Sequence, residues 1–329
     1  MNSRWAAGQF HFESRTLNAI KPGRRLIICG AVHGNEVCGT KAIGRVLGEI
    51  ASGSLPLLAG SVTFVPVTNP LAYQLQQRNG DRNLNRNLYP QAQPQDFEDH
   101  LANWLCPLLA AHQVLLDLHS FNSPGRPFAL LGPPDNDGSL EPFSQAAQEQ
   151  DLVQRLGVNR FVDGWLDTYA RGVQRRVART PASQRRIDLL NTDARYGVGT
   201  TEYMRSQGGC AVTLECGQHD DPAAPEVAYQ AILSTMAWCG IIAPRLPAHS
   251  KPESREMLHL YDVIDRHDEA DAFVRGWSSF DAIDAGDRIG TRGDGRPVCA
   301  DRDGFIVFPN VKAVPGQEWF YLAERSTRL

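Results

Sequence analysis

The stretch "RRLIICGAVHGNEVCGTKAIGRVLGEIASG", residues 24–53, decides the fold. It begins with a short apolar run bounded by charge and glycine, the pattern of a fully buried strand. Residues 39–53 then carry Ala42, Ile43, Val46, Leu47 and Ile50 at helical spacing, closed by Gly53. The turn between strand and helix holds His33 three residues before Glu36, softened by Gly30, Gly34 and Gly39.

Similar pieces follow down the chain. "SVTFVPV" (61–67), "QVLLDLH" (113–119) and "CAVTLECG" (210–217) predict further buried strands. "DFEDHLANWLCPLLAAH" (96–112) and "PEVAYQAILSTMAWCGII" (225–242) predict helices. The alternation predicts an α/β fold with a sheet covered by helices on both faces. Residues 68–90 are polar and read as a loop with one short helical turn. Residues 120–200 read as a long irregular region with one helix near 142–156. "APRLPAHSKPES" (243–254) reads as a linker, and the short β-rich runs after it as a small all-β module. The expected domains are therefore 1–245 and 255–329.

Bulk properties narrow the function classes. Of the 329 residues, 42% are hydrophobic and 21% charged, an ordinary globular balance. A net charge of −4 gives no electrostatic case for a nucleic-acid partner. No apolar run approaches the ~20 residues that span a bilayer, so no membrane partner is expected. The seven cysteines are odd in number and form no CxxC pair, which reads as free thiols in a reducing compartment. The first residues lack the apolar core of a secretory leader. A cytoplasmic protein is expected, with a homo-oligomer left open.

The chemistry gathers at strand ends. His33 and Glu36 follow the first strand, His119 ends "QVLLDLH", and Glu215 closes "AVTLE". In open α/β sheets, ligands bind just outside the carboxyl ends of the strands. Two histidines and a carboxylate with a fourth position open form the donor set of a catalytic zinc ion, and such a site also accepts cobalt or manganese. His33, Glu36 and His119 are thus the candidate metal ligands, for one Zn2+ per chain. Hydrolysis at such an ion needs a further carboxylate, off the metal, to move a proton. Glu215 suits that role. Asp117 lies two residues before His119, hence on the same strand face, where it is placed to orient the imidazole.

Each piece alone has a plainer reading, a satisfied strand-end histidine or a capping carboxylate; the combination points to chemistry. In "QQRNGDRNLNRNLY", Arg78, Arg82 and Arg86 interleave with Asn79, Asn83, Asn85 and Asn87. These donors suit a carboxylate, although Arg82 reads as solvated. Arg205, ten residues before Glu215, lies just upstream of a strand that ends at the site; a surface salt bridge is the competing reading.

"AVHGNE", "NLNRNLY", "LLDLHS" and "TLECG" occur in the order and spacing of the succinylglutamate desuccinylase/aspartoacylase family, zinc amidohydrolases related to the zinc carboxypeptidases. "DAGDRIGTRGDGRPVCADRDGFIVFPN" resembles the family's small C-terminal β domain, which covers the cleft. The resemblance implies a zinc-carboxypeptidase-like α/β fold, with a mixed sheet flanked by helices. It implies zinc-dependent hydrolysis of the amide of a small anionic N-acyl amino acid, N-succinylglutamate first and N-acetylaspartate second. It makes His33, Glu36 and His119 the zinc ligands and Glu215 the catalytic base and acid. Arg78 is then the residue that steadies the carbonyl oxygen, and Asn85 and Arg86 hold the substrate carboxylate. Arg205 contacts an acyl or side-chain carboxylate. The family's usual aspartate two residues before Asn85 is replaced here by Asn83, and its substrate tyrosine is Tyr169, Tyr196 or Tyr203. The competing readings are a zinc carboxypeptidase acting on short peptides and a non-catalytic metal-binding protein.

Overall fold

A computed structural model describes residues 9–179, 192–244 and 255–329. The first part runs β1 (Arg15–Asn18), β2 (Lys21–Gly30), α1 (Cys38–Ala51), β3 (Ala59–Val65), α2 (Pro70–Leu75), α3 (Phe97–Ala110) and β4 (Val114–Phe121). Then come β5 (Phe128–Leu130), α4 (Ala146–Val153), β6 (Arg160–Asp163), α5 (Trp165–Arg179), α6 (Thr200–Ser206), β7 (Cys210–Gln218) and α7 (Ala224–Trp238). The last part is β8 (Glu256–Asp265), β9 (Ala272–Phe273), β10 (Ala282–Ile283), β11 (Arg288–Thr291), β12 (Pro297–Cys299), β13 (Gly304–Val307) and β14 (Glu318–Arg325).

Eleven strands form one mixed sheet in the order β1-β3-β2-β4-β7-β5-β6-β8-β14-β13-β10. At its centre β3, β2, β4 and β7 run parallel, as their near-continuous apolar sequences require. Alternate residues of these strands feed two cores. Leu26, Ile28, Leu116, Leu118 and Val212 pack with Ile43 of α1 and Ile232 of α7. Ile27, Cys29, Leu115 and Ala211 pack with Leu105 of α3, Val173 of α5 and Met204 of α6. Both faces are covered, which fits the α/β expectation.

Residues 120–200 are more ordered than the sequence suggests. They supply β5, β6, α4 and α5, and β5 lies antiparallel to β7. The helix α5 escapes the sequence reading because its arginines and Gly172 mask a narrow apolar stripe of Leu166, Tyr169, Ala170 and Val173. Gly172 is there for close approach: a Cβ on it would sit 2.6 Å from Val263 Cγ1 of β8. Residues 245–254 of the expected linker lie outside the described residues.

The regular elements described after 255 are all strands, and they enclose a core around Trp319, Ile289 and Phe320. Strands β8, β14, β13 and β10 continue the large sheet through parallel pairing of β6 with β8, while β12, β11 and β9 make a second, three-stranded sheet. No described helix is long and apolar enough to cross a membrane. All seven cysteines are free, and only Cys299 is exposed.

Candidate metal centre and substrate cavity

The site forms where β2, β4 and β7 end. The parallel register sets His119 beside Glu215 on adjacent strands, and Gly30 beside Leu118. Asp117 and His119 point to the same face as Leu115, toward α3, α5 and α6. After β2 the chain turns sharply: Ala31 takes a φ of +48°, in the left-handed region. Gly34 then presses on α2, since a Cβ there would fall 1.9 Å from the carbonyl carbon of Ala72. This turn brings His33 and Glu36 over the end of β4.

His33, Glu36 and His119 are all buried, with ligand atoms within 4.8 Å of one another. His33 Nδ1 lies 2.9 Å from Glu36 Oε1, and His119 Nδ1 lies 2.8 Å from Glu36 Oε2. The far nitrogens decide what those contacts mean. Asn83 Oδ1 accepts from the Asn85 backbone N–H at 2.9 Å, which fixes its amide orientation, and it lies 3.0 Å from His33 Nε2. The His33 proton is therefore on Nε2. Asp117 Oδ2, an acceptor only, lies 2.9 Å from His119 Nε2 and holds the proton there. His33 Nδ1 then turns a lone pair toward the Glu36 carboxylate and is buried with no hydrogen-bond partner, while His119 Nδ1 faces the other oxygen of the same carboxylate. Acceptors converge in this way around a cation.

The electrostatics agree. Burial and the nearby Arg78 push His33 down to about 4, so the imidazole is neutral, as a metal ligand must be. Burial disfavours charge on His119, but Asp117 and Glu36 outweigh it and hold its pKa well above the usual value, so without an ion its Nδ1 also carries a proton, shared with Glu36, that a bound metal would displace. Burial likewise opposes ionisation of Glu36, yet His33 and His119 keep its carboxyl well below the ordinary range. The pocket thus calls for positive charge between its carboxylates. The donor set fits zinc or a similar divalent ion.

Glu215 is 8% exposed, and its Oε2 is buried without a hydrogen-bond partner. Burial pushes its carboxyl up to about 8; His119 and Arg78 pull it down, while Glu36 and Asp117 push it up. Arg78 Nη1 donates to Glu36 Oε1 at 2.9 Å, and its side chain is about half exposed toward the cavity. Asn85 Oδ1 accepts from the Thr200 backbone N–H at 3.1 Å, and its Nδ2 is 3.5 Å from His119 Nε2. The Arg86 guanidinium lies over Trp165 at 4.8 Å and Tyr169 at 5.3 Å and donates to the Asn85 carbonyl.

These groups share one cavity of about 590 Å³. Phe308, Glu318 and Tyr321 of the C-terminal β segment form part of its wall. Of the three tyrosines left open, Tyr169 and Tyr196 line the cavity, whereas Tyr203 packs against Tyr89. The hydroxyls of Tyr169 and Tyr321 are buried without hydrogen-bond partners. Arg205 reaches the cavity wall, but Glu149 Oε1 and Glu141 Oε1 hold it at 2.8 and 2.7 Å.

Arg82 corrects the sequence reading. Its side chain is 10% exposed and bonds Asp96 and Asp99, each at 2.9 Å, and the carbonyl of Asn83. It is a tether for the loop, made possible because α3 begins with carboxylates. The sequence reading also passed over Glu98. Its buried carboxylate accepts from Asn69 Nδ2 and from the backbone N–H groups of Gly80, Asp81 and Arg82. The loop bearing Arg78, Asn83, Asn85 and Arg86 is thus sewn to the start of α3. The one local signal was the acidic cluster "DFED" at a helix start, where Asp96 accepts from the Asp99 N–H at 2.8 Å.

Comparison with known proteins accords with this geometry. Residues 22–124 match the succinylglutamate desuccinylase/aspartoacylase catalytic domain. The fold is similar to a succinylglutamate desuccinylase/aspartoacylase from Rhodobacter sphaeroides, with a TM-score of 0.70 and 16% identity over 97% of this chain and 91% of that one. It is also similar to the product-bound ectoine utilization protein EutE (DoeB) from Ruegeria pomeroyi, with a TM-score of 0.67 and 17% identity over 94% of this chain and 88% of that one. A succinylglutamate desuccinylase from Vibrio cholerae gives a TM-score of 0.66 and 20% identity over 93% of this chain and 82% of that one. No curated protein matches the sequence. The family resemblance is borne out over residues 22–124, which hold "AVHGNE", "NLNRNLY" and "LLDLHS".

Proposed function

We propose that this chain hydrolyses the amide bond of an N-acyl amino acid, with a zinc ion held by His33, Glu36 and His119. The observation that carries the reading is the convergence of His33 Nδ1, His119 Nδ1 and the Glu36 carboxylate within 4.8 Å, with both Nε2 atoms held from behind by Asn83 and Asp117. A zinc ion bound there supplies a Lewis acid for the carbonyl and acidifies a water to near neutral pH.

The chain's own groups do the rest. Asn85 and Arg86 bind the substrate carboxylate, the guanidinium backed by the rings of Trp165 and Tyr169. That contact fixes the scissile amide over the ends of β4 and β7. Arg78 donates to the carbonyl oxygen as it gains negative charge. Glu215 takes the proton of the attacking water and gives it to the leaving nitrogen. Burial raises the Glu215 carboxyl and so makes its carboxylate a stronger base than a solvated one, which suits a group that accepts a proton and then returns it. The products are a carboxylic acid and a free amino acid. The C-terminal segment acts as a cover: Phe308, Glu318 and Tyr321 limit the cavity to small substrates and disfavour a peptide chain.

The test is release of free amino acid from N-succinyl, N-acetyl and N-formyl amino acids and from dipeptides, with zinc content measured and a chelator as control. Chelator-sensitive release from the N-acyl amino acids is expected; cleavage of dipeptides alone would replace this reading with a peptidase. Glu215→Gln should lower kcat at least ~100-fold with zinc content unchanged, and retained turnover would remove Glu215 from the proton-transfer role.

A further inference from the structure

The motifs imply a substrate with a second carboxylate, to be met by Arg205. The structure surrounds that arginine differently. Arg205 is 4% exposed, and every nitrogen of its guanidinium is engaged. Nε donates to Glu149 Oε1 at 2.8 Å, Nη1 to Glu141 Oε1 at 2.7 Å, and Nη2 to the Ala211 carbonyl at 2.8 Å. Glu202 Oε1 lies 3.6 Å from Nη1. Gly132 locks the arrangement, since a Cβ there would sit 2.4 Å from Arg205 Nε.

Three carboxylates therefore share one guanidinium. They are not equivalent. Glu149 also accepts from the Ala211 and Gly132 N–H groups, and Glu202 from the Gly199 N–H and the Thr201 hydroxyl. Glu141 has only Arg205 as a hydrogen-bond partner among the described residues, and it lines the cavity. Burial raises the Glu141 carboxyl; Arg205 opposes this, and Glu202 and Glu149 add to it, so that it titrates at about 7. The wall carries more negative charge than its arginine compensates. Buried polar groups without partners elsewhere in the same cavity, Glu215 Oε2 and the hydroxyls of Tyr169 and Tyr321, mark it as a space a ligand fills.

We infer that the Arg205 wall, through Glu141 and Glu202, selects against a second carboxylate, and that the preferred substrate is an N-acyl amino acid with one carboxylate and a neutral or cationic remainder. The inference rests on the proposed deacylase reading. A carboxylate brought to this wall meets like charge in a partly desolvated space, and each of the three guanidinium nitrogens of Arg205 already donates to an acceptor of the protein. A neutral amide or an ammonium meets acceptors.

The test uses the full chain loaded with zinc. Values of kcat/KM are measured for N-acetylglutamine and N-acetylornithine against N-acetylaspartate and N-succinylglutamate. Affinities of the same four are measured by calorimetry on the Glu215→Gln protein. The first two compounds are expected to lead by at least ~10-fold in both readouts. Glu141→Gln, with its fold checked by melting, should narrow that lead severalfold. N-acetylaspartate and N-succinylglutamate, with two and three carboxylates, binding and reacting as well as the others, or a ratio unmoved by Glu141→Gln in a folded protein, would overturn the inference. The same affinity order without turnover of any amide would support charge selection and sink the deacylase reading instead. Failure of all four to bind would overturn the inference.

Discussion

Asp117→Asn tests how the metal centre is built. Asp117 Oδ2 receives the His119 Nε2 proton at 2.9 Å and also the Thr200 hydroxyl, while Oδ1 is buried without a partner. An asparagine can keep its oxygen where Oδ2 stands and place its amide nitrogen where Oδ1 is. The hydrogen bonds survive and the charge goes. What is lost is the carboxylate that makes His119 a stronger donor, a change worth about 10–100-fold in metal affinity, or about 1.4–2.7 kcal/mol. Metal that binds only the folded state passes that loss to stability. A chain of 329 residues unfolds with roughly 0.7 kcal/mol of entropy per degree, so the metal-induced rise in Tm should shrink by about 2–4 °C. The assay is zinc competition against a chromophoric chelator, paired with melts of each protein with and without metal. The paired melts separate the metal's share from any folding effect. Wild-type zinc affinity in folded Asp117→Asn protein would refute the idea that the Asp117 charge strengthens His119 as a ligand.

Two further outcomes follow from groups away from the reacting atoms. Glu98→Gln replaces one acceptor oxygen by a donor, facing either Asn69 Nδ2 and the Gly80 N–H or the N–H groups of Asp81 and Arg82. Two buried donors lose their partner, at a cost of about 2–5 kcal/mol, and denaturant unfolding should show it; a loss below ~0.5 kcal/mol would mean the loop is not held this way. His259 donates to Asp163 at 2.7 Å, and that bond raises its pKa above the ordinary 6.5. Its stabilising share is then full below about pH 6.5 and fades as pH rises through the folded value. The side chain is 40% exposed, and Arg328 stays on Asp163 throughout, so the effect is small, under ~1 kcal/mol. Wild-type protein should lose more stability than His259→Gln between pH 6 and 9, and parallel pH profiles of unfolding would contradict it.

How much of this was legible beforehand divides along a physical line. The runs ending in Gly30, His119 and Gly217 announce buried strands because parallel strands covered on both faces need continuous apolar sequence. Within them Asp117, His119 and Glu215 stand out as polar residues in apolar surroundings, and that cost marks them for chemistry. His33 and Glu36 sit on one turn, so their partnership is local. Composition and spacing thus determined the α/β class, the three metal ligands and the neighbouring Glu215 as candidates. Tertiary structure alone decided what surrounds them. The acceptor behind His33 is Asn83, 50 residues away, and the carboxylate on Arg205 Nε is Glu149, 56 residues away. Sequence periodicity reports which side of an element is buried, and it carries no information about which distant charge lies opposite. The pairing of Arg205 with three glutamates, the tether of Arg82 and Glu98, and the wall that Glu318 and Tyr321 bring from the far end of the chain all depend on such meetings.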